Sequence, residues 1–331
     1  MFREIRLGRR FAAGCALAMT VTAVHAAPTT WERAEAATTT ANAAESCKKV
    51  APFYWEIGDH ASPLVSGSVG GGKYKASTDM NIASSSKWVF GAYASQVRRN
   101  AFTPAELQAL TMKAGYTSLS VSACADYQPA SRSTQTVEQC FEAAANDKQT
   151  NADVGKFHYD GGHFQYAATE LFGLADDTKG PLTEQFSEAL GADFEFNYTS
   201  PQIAGGVRTT PASFGAFLRR ILDGDLYMYS ALGLHAVCTN PSVCPEEANF
   251  TPVTRKESWH YSIGHWVEDD ETVGDGAFSS PGAMGFYPWI DATKSWYGIL
   301  ARESYSVNAY TDSIDCGRTI RKAWQDGVPQ S

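Results

Sequence analysis

The chain contains no Gly-x-Ser-x-Gly, no His-Glu-x-x-His and no Cys-x-x-Cys. The first absence removes the nucleophile elbow of the α/β-hydrolases, and the second the helical ligand pair of zinc proteases. The third argues against a metal site built on paired cysteines. Positive charge is also in deficit: 27 Lys and Arg stand against 36 Asp and Glu, a net charge of −9. That balance disfavours nucleic acid or an anionic membrane as a partner. No internal repeat is present. The N-terminal apolar stretch from Phe11 to Val24 is too short for a permanent bilayer anchor.

That stretch has another reading. Arg3, Arg6, Arg9 and Arg10 precede it, and Val24-His25-Ala26 offers a small-residue processing site. Residues 1–26 are therefore expected to be a secretory signal, and the protein periplasmic or secreted. Their loss would remove four arginines and Glu4, taking the net charge from −9 to −12. Of the seven cysteines Cys15 would go too, leaving an even six, as expected of disulfides in an exported protein. Proximity in sequence pairs Cys124 with Cys140 and Cys238 with Cys244, leaving Cys47 and Cys316 to join the two ends; free buried thiols are the alternative.

Residues 27–46, rich in Ala and Thr, read as a flexible lead-in to one domain spanning 47–331. Strands are expected at 53–58 and 63–69, then at 259–267, 285–290 and 296–302. Thr103-Pro104 and Thr210-Pro211 mark helix starts, and further helices fit 163–172, 181–190 and 318–325. Residues 117–152 are polar and irregular. Strands at both ends with helices between them predict an α+β domain whose termini meet.

Ser84 and Lys87 lie three residues apart at what reads as a helix start, in Ile82-Ala83-Ser84-Ser85-Ser86-Lys87-Trp88. Three residues are just under one helical turn, so the two side chains share a face. A serine hydroxyl becomes a useful nucleophile when a base takes its proton, and a lysine kept neutral by burial can be that base. Ser46-Cys47-Lys48-Lys49 matches the same spacing, but only the Ser84 pair precedes an apolar run, through Trp88, Val89, Phe90 and Tyr93.

From Phe53 to about Ala301 the order of motifs resembles the serine β-lactamase, penicillin-binding protein and related esterase superfamily. Ser84-Ser85-Ser86-Lys87 resembles its nucleophile motif, and Leu110–Thr117 its "LLTHTSGL" segment. Tyr159-Asp160-Gly161 resembles Tyr-x-Asn, and Ala204-Gly205-Gly206 the "AGGL" turn. Tyr261–Trp266 resembles the "YGLGW" strand, while Ser280-Pro281-Gly282-Ala283 stands in place of Lys-Thr-Gly or His-x-Gly. The resemblance implies a β-lactamase-like α+β fold, an antiparallel sheet flanked by helices with an inserted helical region. It also implies acyl transfer without cofactor or metal: Ser84 as nucleophile, Lys87 as base, Tyr159 as proton relay and the N–H groups of Ser84 and Ala283 as oxyanion hole. Gly161, His163, Ser280 and Gly282 are the expected substrate-binding residues, for a small-molecule, peptide or polymer substrate.

Two departures bear on that substrate. Gly161 replaces the family's Asn, leaving Asp160 or His163 as stand-ins. Ser280 replaces the cation that holds a substrate carboxylate, which weakens a β-lactam reading. The expectation is an esterase or amidase; a β-lactamase or D-Ala-D-Ala peptidase, and a non-catalytic binding protein of the same fold, are the alternatives. Gly67-Ser68-Val69-Gly70-Gly71-Gly72-Lys73 approaches a phosphate-binding loop, but Tyr74 stands where Ser or Thr is required, so a turn is expected. The aromatic cluster Trp259, Trp266, Phe286, Tyr287, Trp289 and Trp296 fits a core and a cleft wall equally.

Overall fold

The computed structural model describes Met1, residues 27–253 and residues 256–331; the rest of the signal-like segment lies outside the described residues. An eight-stranded sheet forms the frame. Pro63–Val69 lies at one edge, followed by Phe53–Asp59, Trp296–Ala301, Tyr287–Ile290, Ala277–Ser279, Trp266–Glu268, His260–Tyr261 and Val237–Cys238. Every neighbouring pair is antiparallel. The first long strand and the last pair directly, Tyr54 against Ala301 and Asp59 against Trp296, so the two ends of the domain meet as expected. Both faces of the central strands Phe53–Asp59, Tyr287–Ile290 and Trp296–Ala301 are covered, and their residues are buried almost without alternation, whereas the edge strand Pro63–Val69 is largely exposed. Tyr297 meets Arg219 of the Pro211–Leu222 helix on one face. Its neighbour Trp296 packs on Trp324 of the C-terminal helix, Ala309–Asp326, on the other.

Residues 28–46 are not a flexible lead-in. Thr30–Ala43 is a helix, closed at its start by a capping box in which the Glu32 N–H donates to Thr29 Oγ1 and the Thr29 N–H to Glu32 Oε2. Ala36, Ala37, Thr40 and Ala41 are buried by it. Arg33 donates to the carbonyls of Trp324 and Gln325, tying it to the C-terminal helix. A Thr-x-x-Glu box ahead of an alanine-rich stretch is a helix signal, and here it outweighs the polar composition.

Three disulfides join Cys47 to Cys316, Cys124 to Cys140 and Cys238 to Cys244. The second stitches the irregular region, whose main regular piece is Val137–Glu142. The expected helix at 163–172 is α-helical over Gly162–Tyr166 and widens to a π-helical turn over Ala167–Leu171. The closing helix is longer than expected, because its N-terminal half is amphipathic too and packs beneath the sheet. The expected 259–267 strand is broken between Tyr261 and Trp266 by a turn in which the Ser262 N–H donates to the His265 carbonyl. Among the described residues no helix is long and apolar enough to cross a membrane.

The Cys47–Cys316 bond closes a loop of 269 residues and holds the first helices on the last. Replacing both cysteines by serine is expected to cost roughly 5 kcal/mol of stability through restored chain entropy. Chemical denaturation checks this; an unmoved midpoint would show that helix packing alone holds the termini together.

Candidate active site

Ser84 sits in the single 3₁₀ turn Ala83–Ser85, between the short strand Met80–Asn81 and the helix Ser86–Arg98. Ala83 adopts φ +45°, a left-handed conformation that costs a non-glycine residue about 1 kcal/mol or more. The surroundings hold it there. The Ala83 N–H donates to Asn81 Oδ1 at 2.7 Å, and the Asn81 N–H to Glu303 Oε2. The next two serines anchor the turn from beneath: Ser85 Oγ donates to the Ser280 carbonyl at 2.5 Å, and Ser86 Oγ accepts from the Val207 N–H at 3.2 Å. Ser84 is left as the side chain of the three that faces the cleft.

Lys87 lies one turn on and is 4 % exposed. Its Nζ donates to Ser84 Oγ at 3.0 Å and to the Ala204 carbonyl at 3.2 Å. It stands 4.8 Å from the centre of the Tyr159 ring. Among the described residues no carboxylate pairs with it. Tyr159 stacks on Trp266 at 5.2 Å, and its N–H donates to the Phe250 carbonyl. Close packing sets the helix position. A Cβ on Gly264, at φ +75°, would lie 2.3 Å from the Lys87 carbonyl, and one on Gly91 would lie 2.5 Å from that of Ile263. The break in the 259–267 strand is therefore the seat of the Ser86–Arg98 helix.

Ala283 completes the inner rim. Its loop folds against the Ser84 turn, because a Cβ on Gly282 would lie 2.2 Å from the Ile82 carbonyl. Within the loop the Gly282 N–H donates to Phe286 and the Gly285 N–H to Gly282. Ser84, Tyr159 and Ala283 line two lobes that open on either side of them. One, of about 400 Å3, is walled by Pro252, Val253, Trp266, Pro281, Tyr310 and Ile314. The other, of about 890 Å3, adds Asn81, Lys87, Leu119, Asp160, Gly161, Gln202 and Met284 among its walls.

The structure thus brings Ser84, Lys87, Tyr159, Ala283 and Gly161 to one cleft. Three expected substrate-binding residues are not in it. His163 is fully buried: its Nδ1 accepts from the Ala114 N–H and its Nε2 donates to the His158 carbonyl. Ser280 is buried and its Oγ donates to the Ser84 carbonyl, so its hydroxyl braces the Ser84 turn instead of facing the cleft. Gly282 supports the same contact from the loop. Gly161 does line the cleft, but the space an Asn side chain would enter is taken: a Cβ there would lie 2.7 Å from Leu119 Cδ2. Asp160 does not replace it, since its Oδ1 accepts from the Leu119 and Gly162 N–H groups. Of the aromatic cluster, Trp266 lines the cleft, while Phe286, Tyr287 and Trp289 are core. Leu119, Pro252, Val253, Tyr310 and Ile314 escaped the sequence reading, because long-range folding alone gathers them. Lys49, of the decoy Ser46 motif, pairs with Asp312 at the surface.

The chain matches no protein-family model and no curated protein. Its fold does match solved structures. A β-lactamase from Mycobacterium bovis aligns with a TM-score of 0.57 at 12% identity, covering 83% of this chain and 96% of that one. EstCE1, described as a hydrolase with promiscuous acyltransferase activity, gives 0.60 at 11%, covering 89% and 99%. A D-stereospecific amidohydrolase from a Streptomyces species gives 0.57 at 12%, covering 87% and 98%. The fold is therefore that of the β-lactamase and penicillin-binding-protein superfamily, and at these identities the likeness is one of fold.

Two buried histidines flank the Ser86–Arg98 helix. Burial holds His163 down to about 3 and His265 to about 4. Like His163, His265 has both ring nitrogens committed, Nδ1 donating to Ile263 and Nε2 accepting from Gly233. A proton on either ring would oppose a backbone N–H. Both pKa values lie below the ordinary 6.5, so the unfolded chain takes up protons the folded one refuses. Stability should be full above about pH 6.5 and fall towards pH 4, by up to about 1.4 kcal/mol per pH unit for each ring. Urea midpoints between pH 7 and 4.5 measure the slope, and the double variant His163→Gln, His265→Gln should flatten it. An equal slope in that variant would place the acid sensitivity elsewhere.

Proposed function

We propose that the protein is an exported serine hydrolase that cleaves an ester or amide through an acyl-enzyme on Ser84. The observation that carries this is the 3.0 Å contact between Lys87 Nζ and Ser84 Oγ, at the floor of a cleft and without a competing carboxylate. Lys87 Nζ takes the Ser84 proton as Oγ adds to the substrate carbonyl. The negative oxygen that forms accepts from the N–H groups of Ser84 and Ala283. Ala283 suits this, since among the described residues its N–H donates to no other group. Tyr159 passes a proton to the leaving alcohol or amine as the carbon–heteroatom bond breaks. Water then adds to the acyl carbonyl by the reverse route and frees Ser84. The three disulfides and the signal-like N-terminus support export to the periplasm or medium.

A fluorophosphonate probe should label the wild-type protein and leave Ser84→Ala unlabelled. Lys87→Met should lower acylation on the order of 10²–10⁴-fold, the range for loss of a positioned base. Equal labelling of Ser84→Ala would refute the assignment. Intact-mass adducts with penicillins in the same series would favour a β-lactamase or D-Ala-D-Ala peptidase over an esterase.

A further inference from the structure

The two lobes of the cleft differ in chemistry, and the difference bears on the substrate if Ser84 is the acylated residue. Among the described residues, those enclosing the smaller lobe, Pro252, Val253, Trp266, Pro281, Tyr310 and Ile314, carry no charged side chain. The Tyr310 hydroxyl is already spent, donating to the Pro252 carbonyl at 3.0 Å. Among the described residues lining the larger lobe Lys87 is the sole cation, and it is held by Ser84 and Ala204. Ser280, at the inner edge, turns its hydroxyl to the Ser84 carbonyl. Among the described residues, therefore, neither lobe offers a carboxylate a partner, and the net charge of −9 repels anions at longer range.

A second pocket, which reaches Glu257, Trp259 and Arg318, adjoins the apolar lobe. Val253, Tyr310 and Ile314 line both spaces. Arg318 is paired there at 2.9 Å through Nη1 with Glu257 and through Nε with Glu268, while its Nη2 is buried without a partner. Ile314, one turn after Tyr310 on the C-terminal helix, is 7 % exposed and forms part of the partition.

We infer that the protein selects uncharged esters or amides carrying a compact apolar group, that the apolar lobe receives this group, and that Ile314 limits its length. Each methylene entering such a lobe improves transition-state binding roughly fourfold. A carboxylate entering it would be desolvated without a partner.

The test is hydrolysis of 4-nitrophenyl esters from acetate to octanoate by the purified protein, with the succinate monoester as the charged counterpart of the butanoate. The expected kcat/KM rises roughly fourfold per methylene to a short-chain maximum and then falls. The succinate monoester should be turned over at least roughly tenfold more slowly than the butanoate. Ile314→Ala should move the maximum to longer chains; Ile314→Phe and Val253→Phe should move it to shorter ones, and the latter two serve if the alanine variant does not fold. A flat profile, an unmoved maximum in the folded variants, or succinate handled as well as butanoate overturns the inference. Fluorophosphonate labelling in parallel separates the two layers. Labelling that depends on Ser84 with a flat profile refutes the selectivity alone, whereas no labelling refutes the serine-hydrolase reading on which it rests.

Discussion

The clamp on the Ser84 turn is the contact from which the rest of the site follows. Three consecutive serines divide the work: Ser85 reaches the carbonyl of Ser280, just past the strand Ala277–Ser279, Ser86 takes the Val207 N–H, and Ser84 is left facing the cleft. Ser280 returns a hydrogen bond to the Ser84 carbonyl, so sheet and helical region are cross-linked on both sides of Ser84. Gly91 and Gly264 let the helix after the turn press on the sheet with no side chain between them. Such contacts hold a strained Ala83 in place, because relaxing it would break several of them together.

Charge is handled differently at this site than elsewhere in the interior. Arg321 is buried against Glu268 and Asp275, and Lys179 against Asp126. Burial alone would raise the Glu268 carboxyl, but Arg321 and Arg318 bring it down to about 2. These groups are neutralised in pairs, as buried charges usually are. Lys87 has a hydroxyl and a carbonyl instead.

Local signals were legible where one turn of chain decides the outcome. Thr103 and Thr210 cap their helices as their sequences imply, and the helix Pro211–Leu222 starts where Thr210-Pro211 places it. The Thr29 capping box was equally readable, but the Ala and Thr composition around it pointed to a loose segment. The 259–267 strand could not be read as broken, because the helix that breaks it comes from some 170 residues earlier. His163 shows the converse error. Its nearness to Tyr159 in sequence implied nearness in the cleft, yet the helix starting at Gly162 turns it inward to Ala114 and His158.

By itself the sequence determined the Ser84–Lys87 pair, the caps and the pairing of cysteines by proximity, since each rests on spacing within a turn or on simple elimination among six thiols. Tertiary structure alone decided the rest of the cleft. It set Leu119 against Gly161, withdrew Ser280 and His163 from the cleft, and brought Val253, Tyr310 and Ile314 to the same lobe as Ser84. Those residues lie far apart along the chain, and which face of each element turns to the cleft is set by packing against neighbours that no local pattern names.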